Sequence, residues 1–244
     1  MPALEDEVVV VTGASRGLGR SMVERFAEEG ARVTLTARDE ERMERVAEDL
    51  SGESLVVPAD VRDADAVERV VERTVDRFGR LDTLVNNAGV SILGMQDSRK
   101  RLVDVAESEW DTVLGVNLKG TFLFTRAALS YMFEQGRGNV VNVSSGLGRR
   151  AIAGAGAYVS SKWGLEGLTR VTALEGADDG VNANALDPGG RVDTDIWAHL
   201  PDDERAEILP PDVMDDAAVL LAAQGPDGVT GESLTAEEWE GRLG

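Results

Sequence analysis

Short apolar runs alternate along this chain with longer segments whose apolar positions recur every three or four residues, and the alternation persists from end to end. Glu7 to Thr12 carries Val8-Val9-Val10-Val11, four β-branched residues in a row, as a strand covered on both faces requires. Arg32 to Thr36, Ser54 to Pro58, Leu81 to Asn86, Asn139 to Ser144 and Val181 to Leu186 read the same way, and Gly231 to Leu234 predicts a short seventh strand. Between them the pattern predicts a helix opening at Gly17 and Gly19 and running to Gly30, then helices over Glu40 to Leu50 and Ala64 to Phe78. In the last of these, Val67, Val70, Val71 and Val75 mark one apolar face. Glu107 to Phe133 reads as two helical segments around Asn117, Ala157 to Leu174 as a further helix and Val213 to Ala223 as the last. Strands that alternate with helices without linker or repeat predict an α/β fold: a doubly wound parallel sheet in three layers, one domain over residues 1–244.

Composition narrows the setting. A chain of 244 residues is long enough for one domain that buries roughly 70–75% of its unfolded surface. It has no cysteine and one histidine, His199, which excludes disulfides, thiolate metal sites and a histidine cluster for zinc, so metal-independent chemistry is expected. The acidic Glu5-Asp6-Glu7 start contradicts a basic signal-peptide region, and no apolar stretch approaches the ~20 residues of a membrane span. A cytoplasmic protein without a membrane partner is the expectation. Acidic residues number 45 against 25 basic ones, a net charge of −20, and only Lys100, Lys119 and Lys162 are lysines. Such a surface repels polyanions, so no nucleic-acid partner is expected despite Arg99-Lys100-Arg101.

Two local patterns carry chemistry. Thr12-Gly13-Ala14-Ser15-Arg16-Gly17-Leu18-Gly19 follows the first strand and opens the first helix. Glycines in that context let backbone N–H groups approach a phosphate at a helix N-terminus. Tyr158 and Lys162 stand four residues apart, ~40° around a helix and one turn apart. An ammonium there can favour the phenolate of a tyrosine whose ordinary pKa is about 10, which suits the phenol to proton transfer.

With Asn86-Asn87-Ala88-Gly89, Asn117 in Val116-Asn117-Leu118, Ser145 thirteen residues before Tyr158, and Pro188-Gly189 after the sixth strand, the chain resembles the short-chain dehydrogenase/reductase family, in its single-domain Tyr-x-x-x-Lys branch. The resemblance spans nearly the whole chain and implies a Rossmann-like fold with Asn117, Ser145, Tyr158 and Lys162 as catalytic residues. Ser145 is preferred to its neighbour Ser144 on that interval. It further implies that Tyr158 exchanges a proton with a carbonyl oxygen, Ser145 hydrogen-bonds that oxygen, Lys162 reaches the nicotinamide ribose, and Asn117 holds a water leading to solvent. The cofactor-binding residues implied are Gly13, Ser15, Arg16, Gly17, Leu18, Gly19, Asp60, Val61, Asn87, Ala88, Gly89, Tyr158, Lys162, Pro188, Gly189, Val192 and Thr194. Gly190-Arg191 reads as a one-residue insertion before Val192-Asp193-Thr194.

Cofactor choice rests on the end of the second strand, where Ala37 replaces the acid that would hold both ribose hydroxyls of NAD, and Arg38 follows. A guanidinium suits a 2′-phosphate, with Arg16 able to reach it from the other side, so NADP is expected over NAD. The competing reading pairs Arg38 with Asp39 or Glu40. The substrate is a small-molecule ketone or secondary alcohol. Readings left open are a carbonyl reductase similar to 3-oxoacyl-[acyl-carrier-protein] reductases, a sugar or polyol dehydrogenase, and a non-catalytic NADP-sensing regulator. The loop from Ser91 to Glu107 is expected to narrow the pocket, residues about 190–212 to form a substrate loop carrying Trp197, His199 and Leu200, and Arg149 and Arg150 to offer a site for an anionic substrate group. A homodimer or homotetramer is expected, the dimer being the safer because the Glu237-Glu238-Trp239 tail departs from the family pattern.

Twenty excess negative charges repel one another over a Debye length that shrinks from about 30 Å at 0.01 M salt to about 3 Å at 1 M, a balance suited to a halophile. Melting temperature should therefore rise steeply between low salt and molar KCl; a flat or falling curve in thermal denaturation would contradict this.

Overall fold

The computed structural model describes residues 3–194, 204 and 208–244. The expected positions of Trp197, His199 and Leu200 lie outside them. Seven parallel strands form one sheet: β1 (Val8–Thr12), β2 (Arg32–Thr36), β3 (Ser54–Val56), β4 (Thr83–Asn86), β5 (Gly138–Val143), β6 (Val181–Asp187) and β7 (Ser233–Thr235). Their spatial order is β3-β2-β1-β4-β5-β6-β7, so the chain winds outward in both directions from β1. Consecutive β1 and β2 pair in register from Val8 opposite Arg32 to Thr12 opposite Thr36, while β4 takes the other side of β1. That reversal opens a crevice at the carboxyl ends of β1 and β4, where ligands of such sheets bind.

Helices cover both faces. On one lie α1 (Gly17–Glu28) and α2 (Glu40–Glu48), with Met22, Phe26 and Met43 packed on Val9, Val11, Val33 and Leu35. On the other, α3 (Ala64–Phe78) sets Val67, Val70 and Val71 against Val10 and Leu84, with Val75 only partly buried. The alternation of Val9 and Val11 to one core and Val10 to the other explains why all five residues of β1 are buried. Asp39 and Asp63 cap α2 and α3 by accepting from backbone N–H groups of the first turn.

The loop after β4 is not featureless: it holds α4 (Ile92–Gln96) and a 3-10 turn at Leu102–Asp104. Beyond it the two expected segments form one run, α5 (Glu107–Leu114), a π-helical stretch at Gly115–Gly120 and α6 (Thr121–Gln135). A Cβ on Gly120 would stand 2.7 Å from Val61 Cγ2, so the extra residue of the π turn is accommodated by close packing on the end of the β3 loop. Next come α7 (Gly156–Gly176) and α8 (Asp215–Ala222). The helix expected to be last is followed by another, α9 (Ala236–Leu243). Thr235 and Glu238 form its capping box, and Trp239 is fully buried with its indole N–H donating to the Ala185 carbonyl at 3.0 Å. The unusual tail thus plugs the core beside β6. Among the described residues, no helix is long and apolar enough to cross a membrane.

A partly buried acid stands apart from the site. Asp215 starts α8, accepts from Ser21 Oγ at 2.7 Å, and keeps its other oxygen buried without a hydrogen-bond partner. Burial, helped by the nearby charge of Asp212, pushes its pKa from 3.8 up to about 7. A raised folded-state pKa means the protonated acid fits the fold, so its contribution is intact below pH 3.8 and is lost as pH rises through about 7. The neutral isostere Asp215→Asn should therefore gain stability relative to wild type as pH climbs across that window; melting curves at several pH values with a constant difference would show that Asp215 does not titrate there.

Candidate active site

The end of β5 and one face of α7 meet residue by residue. Tyr158, Lys162 and Glu166, at successive intervals of four on α7, face Val143, Ser144 and Ser145. The Lys162 ammonium, 4% exposed, donates to the Val143 carbonyl at 2.7 Å and lies 5.7 Å from the centroid of the Tyr158 ring. Ser144 Oγ donates to Glu166 Oε1. Ser145 Oγ accepts from the Leu147 N–H at 3.2 Å, and the Ser145 side chain lowers the pKa of Tyr158. The hydroxyl that acts on the phenol is thus that of Ser145, while Ser144 faces Glu166.

Asn117 approaches from the π-helical stretch. Its amide donates to the Val90 carbonyl at 2.9 Å and to Ser161 Oγ at 3.0 Å, and accepts from the Val90 N–H at 2.8 Å. The side chain therefore ties the segment after Gly89 to α7. Both Nδ2 hydrogens are spent, so a water on Asn117 would have to donate to one of its oxygens, of which the main-chain carbonyl already accepts from Thr121 Oγ1 at 2.9 Å.

The charge balance differs from the simple expectation that Lys162 lowers the phenol's pKa. Burial pushes Tyr158 above its usual value of 10.0, the Ser145 hydrogen bond pulls it down, and Asp187 pushes it up again. Burial lowers Lys162 to about 8, against the charges of Glu166 and Asp187. Desolvation outweighs the attraction the sequence suggests.

The glycine turn sits across from this pair. A Cβ on Gly19 would stand 2.3 Å from the Gly13 carbonyl and 2.5 Å from Asn87 Nδ2, so only glycine permits this approach. Gly13 and Gly17 take positive φ, 68° and 52°. Asn87 stitches the turn to β4, donating from Nδ2 to the Thr12 carbonyl at 2.9 Å, while Thr12 Oγ1 accepts from the N–H groups of Asn87 and Ala88. Unlike α2 and α3, α1 has no side-chain cap and no acid in its first turn, although Ser15, the exposed Arg16 and Leu18 surround it. Its N–H groups are thus left for an anion. The turn fits a dinucleotide's phosphates.

Other expected positions converge on the same crevice. A Cβ on Gly89 would lie 3.7 Å from Asn117 Oδ1 and 4.0 Å from Lys162 Nζ, and one on Gly17 would lie 3.2 Å from Thr194 Cγ2. Pro188 and Gly189 follow β6, with the Gly189 N–H held by Asp187 Oδ1 at 3.0 Å, and Val192, just after Gly190-Arg191, pairs with Leu209. Arg38 is exposed. Asp39, its suggested partner, is engaged by Arg42 at 3.0 Å instead. Asp60, beside buried Val61, is held by Arg62 and lowered to about 2, chiefly by that hydrogen bond and slightly by the charge of Arg38.

Arg149 is exposed, and its guanidinium pairs with the buried Asp187 at 2.6 Å, with Ser233 and with Glu166. Glu166 and Asp187 escaped sequence reasoning, although a glutamate one turn beyond Lys162 on the same helical face was a visible signal. Beside the start of α7, Arg101, Leu102, Val103, Ile152, Ala153, Gly154 and Gly156 line a cleft of about 710 Å³. The 91–107 loop reaches this wall, since a Cβ on Gly156 would stand 2.9 Å from Leu102.

The short chain dehydrogenase family model matches residues 7–205 of the chain. This chain belongs to the short-chain dehydrogenase/reductase family. It is 34% identical to the (2S)-[(R)-hydroxy(phenyl)methyl]succinyl-CoA dehydrogenase subunit of Thauera aromatica, covering 95% of each chain. It is 35% identical to the 3-oxoacyl-[acyl-carrier-protein] reductase of Thermotoga maritima, covering 95% of this chain and 96% of that one. An uncharacterised oxidoreductase of Staphylococcus aureus is 34% identical over 96% of this chain and 98% of its own. The protein is an oxidoreductase of this family, an enzyme acting on CH–OH and C=O groups.

Proposed function

We propose that the chain is an NADP-dependent carbonyl reductase for acyl substrates, working in the cytoplasm as a homodimer or homotetramer. The observation that carries the reading is the convergence of Ser145, Tyr158 and Lys162 at the end of β5, opposite the glycine turn. Gly13 to Gly19 would hold the phosphates, Arg38 and Arg16 the 2′-phosphate, Asp60 and Val61 the adenine, and Asn87, Ala88, Gly89, Pro188, Gly189, Val192 and Thr194 the nicotinamide half. Bound there, NADPH would supply the hydride. Tyr158 supplies the proton to the carbonyl oxygen, Ser145 holds that oxygen by a hydrogen bond, and Lys162, charged below its pKa of about 8, stands beside the phenol to steady its charge and to meet the ribose.

Two relatives bear names that describe acyl groups carried on CoA or on acyl carrier protein. The cleft beside α7 has Leu102, Val103, Ile152 and Ala153 on its walls and Arg101 at its edge, which suits an apolar chain better than a sugar or polyol. The −20 charge supports a salt-requiring enzyme from a halophile.

Oxidation of NADPH in molar KCl, tested against 3-oxoacyl thioesters and against ketoses, decides the substrate class. Turnover of ketoses alone would reject the acyl reading. Tyr158→Phe should lower kcat by about 10²–10⁴-fold with NADPH binding nearly intact. Retention of a tenth of wild-type kcat would remove Tyr158 from the mechanism.

Arg38→Leu should weaken NADPH about tenfold or more, the loss of a charge-assisted contact of roughly 1.5–3 kcal/mol, and leave NADH little changed. Adding Ala37→Asp should invert the preference. An unmodified enzyme that already prefers NADH would overturn the cofactor assignment.

A further inference from the structure

Behind the catalytic face lies a second layer of charge that the reaction itself does not use. Glu166 and Asp187 are 4% and 3% exposed, and they stand on different elements, α7 and β6. Both make their ion pairs with one guanidinium: Arg149 Nη2 meets Asp187 Oδ2 at 2.6 Å and Nη1 meets Glu166 Oε1 at 3.5 Å. Ser144 and Ser233 complete the cluster by donating to the same oxygen of Glu166, while its Oε2 is buried without a hydrogen-bond partner. The cluster is joined to the site on three sides. Ser144 is the chain neighbour of Ser145, Glu166 stands one turn beyond Lys162, and Asp187 precedes Pro188-Gly189 and fixes the Gly189 N–H.

Two buried carboxylates this close to the phenol would oppose its ionisation unless balanced. Lys162 and Arg149 stand against Glu166 and Asp187, two positive groups against two negative ones. Lys162, Glu166 and Asp187 are buried and screened little by solvent, whereas the Arg149 side chain is 35% exposed and acts through its direct contacts with the two acids.

We propose that Arg149, Glu166 and Asp187 act as a charge clamp that positions the Tyr158–Lys162 pair and fixes its electrostatic surroundings, with Arg149 as the bridging cation. All three are positioning residues; none touches the reacting atoms. Asp187 acts on both Tyr158 and Lys162, and Glu166 on Lys162, in the direction that opposes loss of their protons. Among the other charges nearby, Arg150 lies over Gly146, where a Cβ would stand 3.5 Å from its Nε and 3.7 Å from Asp187 Oδ2, and Glu238 of α9 feels Arg149 from farther out. From the α4–α5 side, Val90, Val105 and Trp110 pack against Tyr158 with apolar surface.

The proposal rests on Tyr158 as the acid–base residue, but its test needs neither substrate nor cofactor. Because the chain has only three lysines, NMR of carbon-labelled lysine resolves Lys162, assigned by loss of its signal in Lys162→Arg. In the intact protein it should titrate near its value of about 8. Arg149→Met should raise that midpoint by about one pH unit and Asp187→Asn lower it by a similar amount, as expected for a charge removed a few ångströms away. The double variant should return close to wild type, and Arg149→Lys should keep the wild-type midpoint. Thermal melts identify any variant that fails to fold; the neutral double variant and Arg149→Lys then carry the comparison. Shifts of the two single variants in the same direction, a double variant that does not return, or an Arg149→Lys midpoint displaced as far as Arg149→Met would overturn the clamp. If the clamp fails while Tyr158→Phe is inactive, the enzymatic reading stands alone; if Tyr158→Phe remains active, that reading fails whatever the titrations show.

Discussion

The seating of α7 on the last residues of β5 constrains everything else in this molecule. A helix can meet a strand end through only one of its faces, and here that face repeats every four residues: Tyr158, Lys162, Glu166. The strand answers with three different atoms, the Val143 carbonyl, the Ser144 hydroxyl and the Ser145 hydroxyl. Rotating α7 by one residue would break all three at once. The phenol, the ammonium and the carboxylate are therefore fixed by a single docking event, and their relative positions do not depend on flexible loops.

The remaining parts of the crevice are fastened to that junction by asparagine side chains. Asn86, at the end of β4, donates to Asn142 of β5 at 2.9 Å and to Thr125 of α6 at 3.1 Å, deep beneath the site. Asn87 then carries the connection across to the glycine turn, and Asn117 carries it from Val90 to Ser161 of α7. Three asparagines thus link β1, β4, β5, α6 and α7 through side-chain amides, which a purely apolar core could not do with the same directionality. The pairing of turn, strand and helix accounts for how a sheet assembled from distant segments holds Ser145, Tyr158 and Lys162 in one place.

Much of this was legible because it depends on local chemistry. The bounds of β2 and α3 coincide with those the hydrophobic pattern predicts, since each is closed by its own cap or turn, Asp63 and Gly79 in the case of α3. The glycine turn, Asn117, Ser145, Tyr158 and Lys162 fall together for the same reason: fixed spacing on fixed elements. What escaped was set by pairing across the chain. Arg149, Glu166 and Asp187 are brought together from three elements, and no spacing in one sequence announces that an exposed-looking arginine will be spent on two buried acids. The downward shift expected of Tyr158 failed because burial depends on packing, which the i, i+4 rule does not contain. Helix α9 was missed despite a readable signal, Thr235 followed three residues later by Glu238, with Ala236, Trp239 and Leu243 along one stripe.

The same electrostatics act on two scales that solvent separates. On the surface, an excess of twenty negative charges is long-ranged at low ionic strength and collapses as salt is added. At the site, the buried Asp187 and Glu166 are met by the guanidinium of the exposed Arg149, so these acids are screened less than charges that stand free in solvent. Arg149 stands where two buried acids come up to the surface, so a single guanidinium offsets charge that solvent reaches only in part. Added salt screens the net excess, while the charges felt by Tyr158 and Lys162 come from fixed partners nearby. The long-range and short-range parts of the electrostatics thus rest on separate sets of charges.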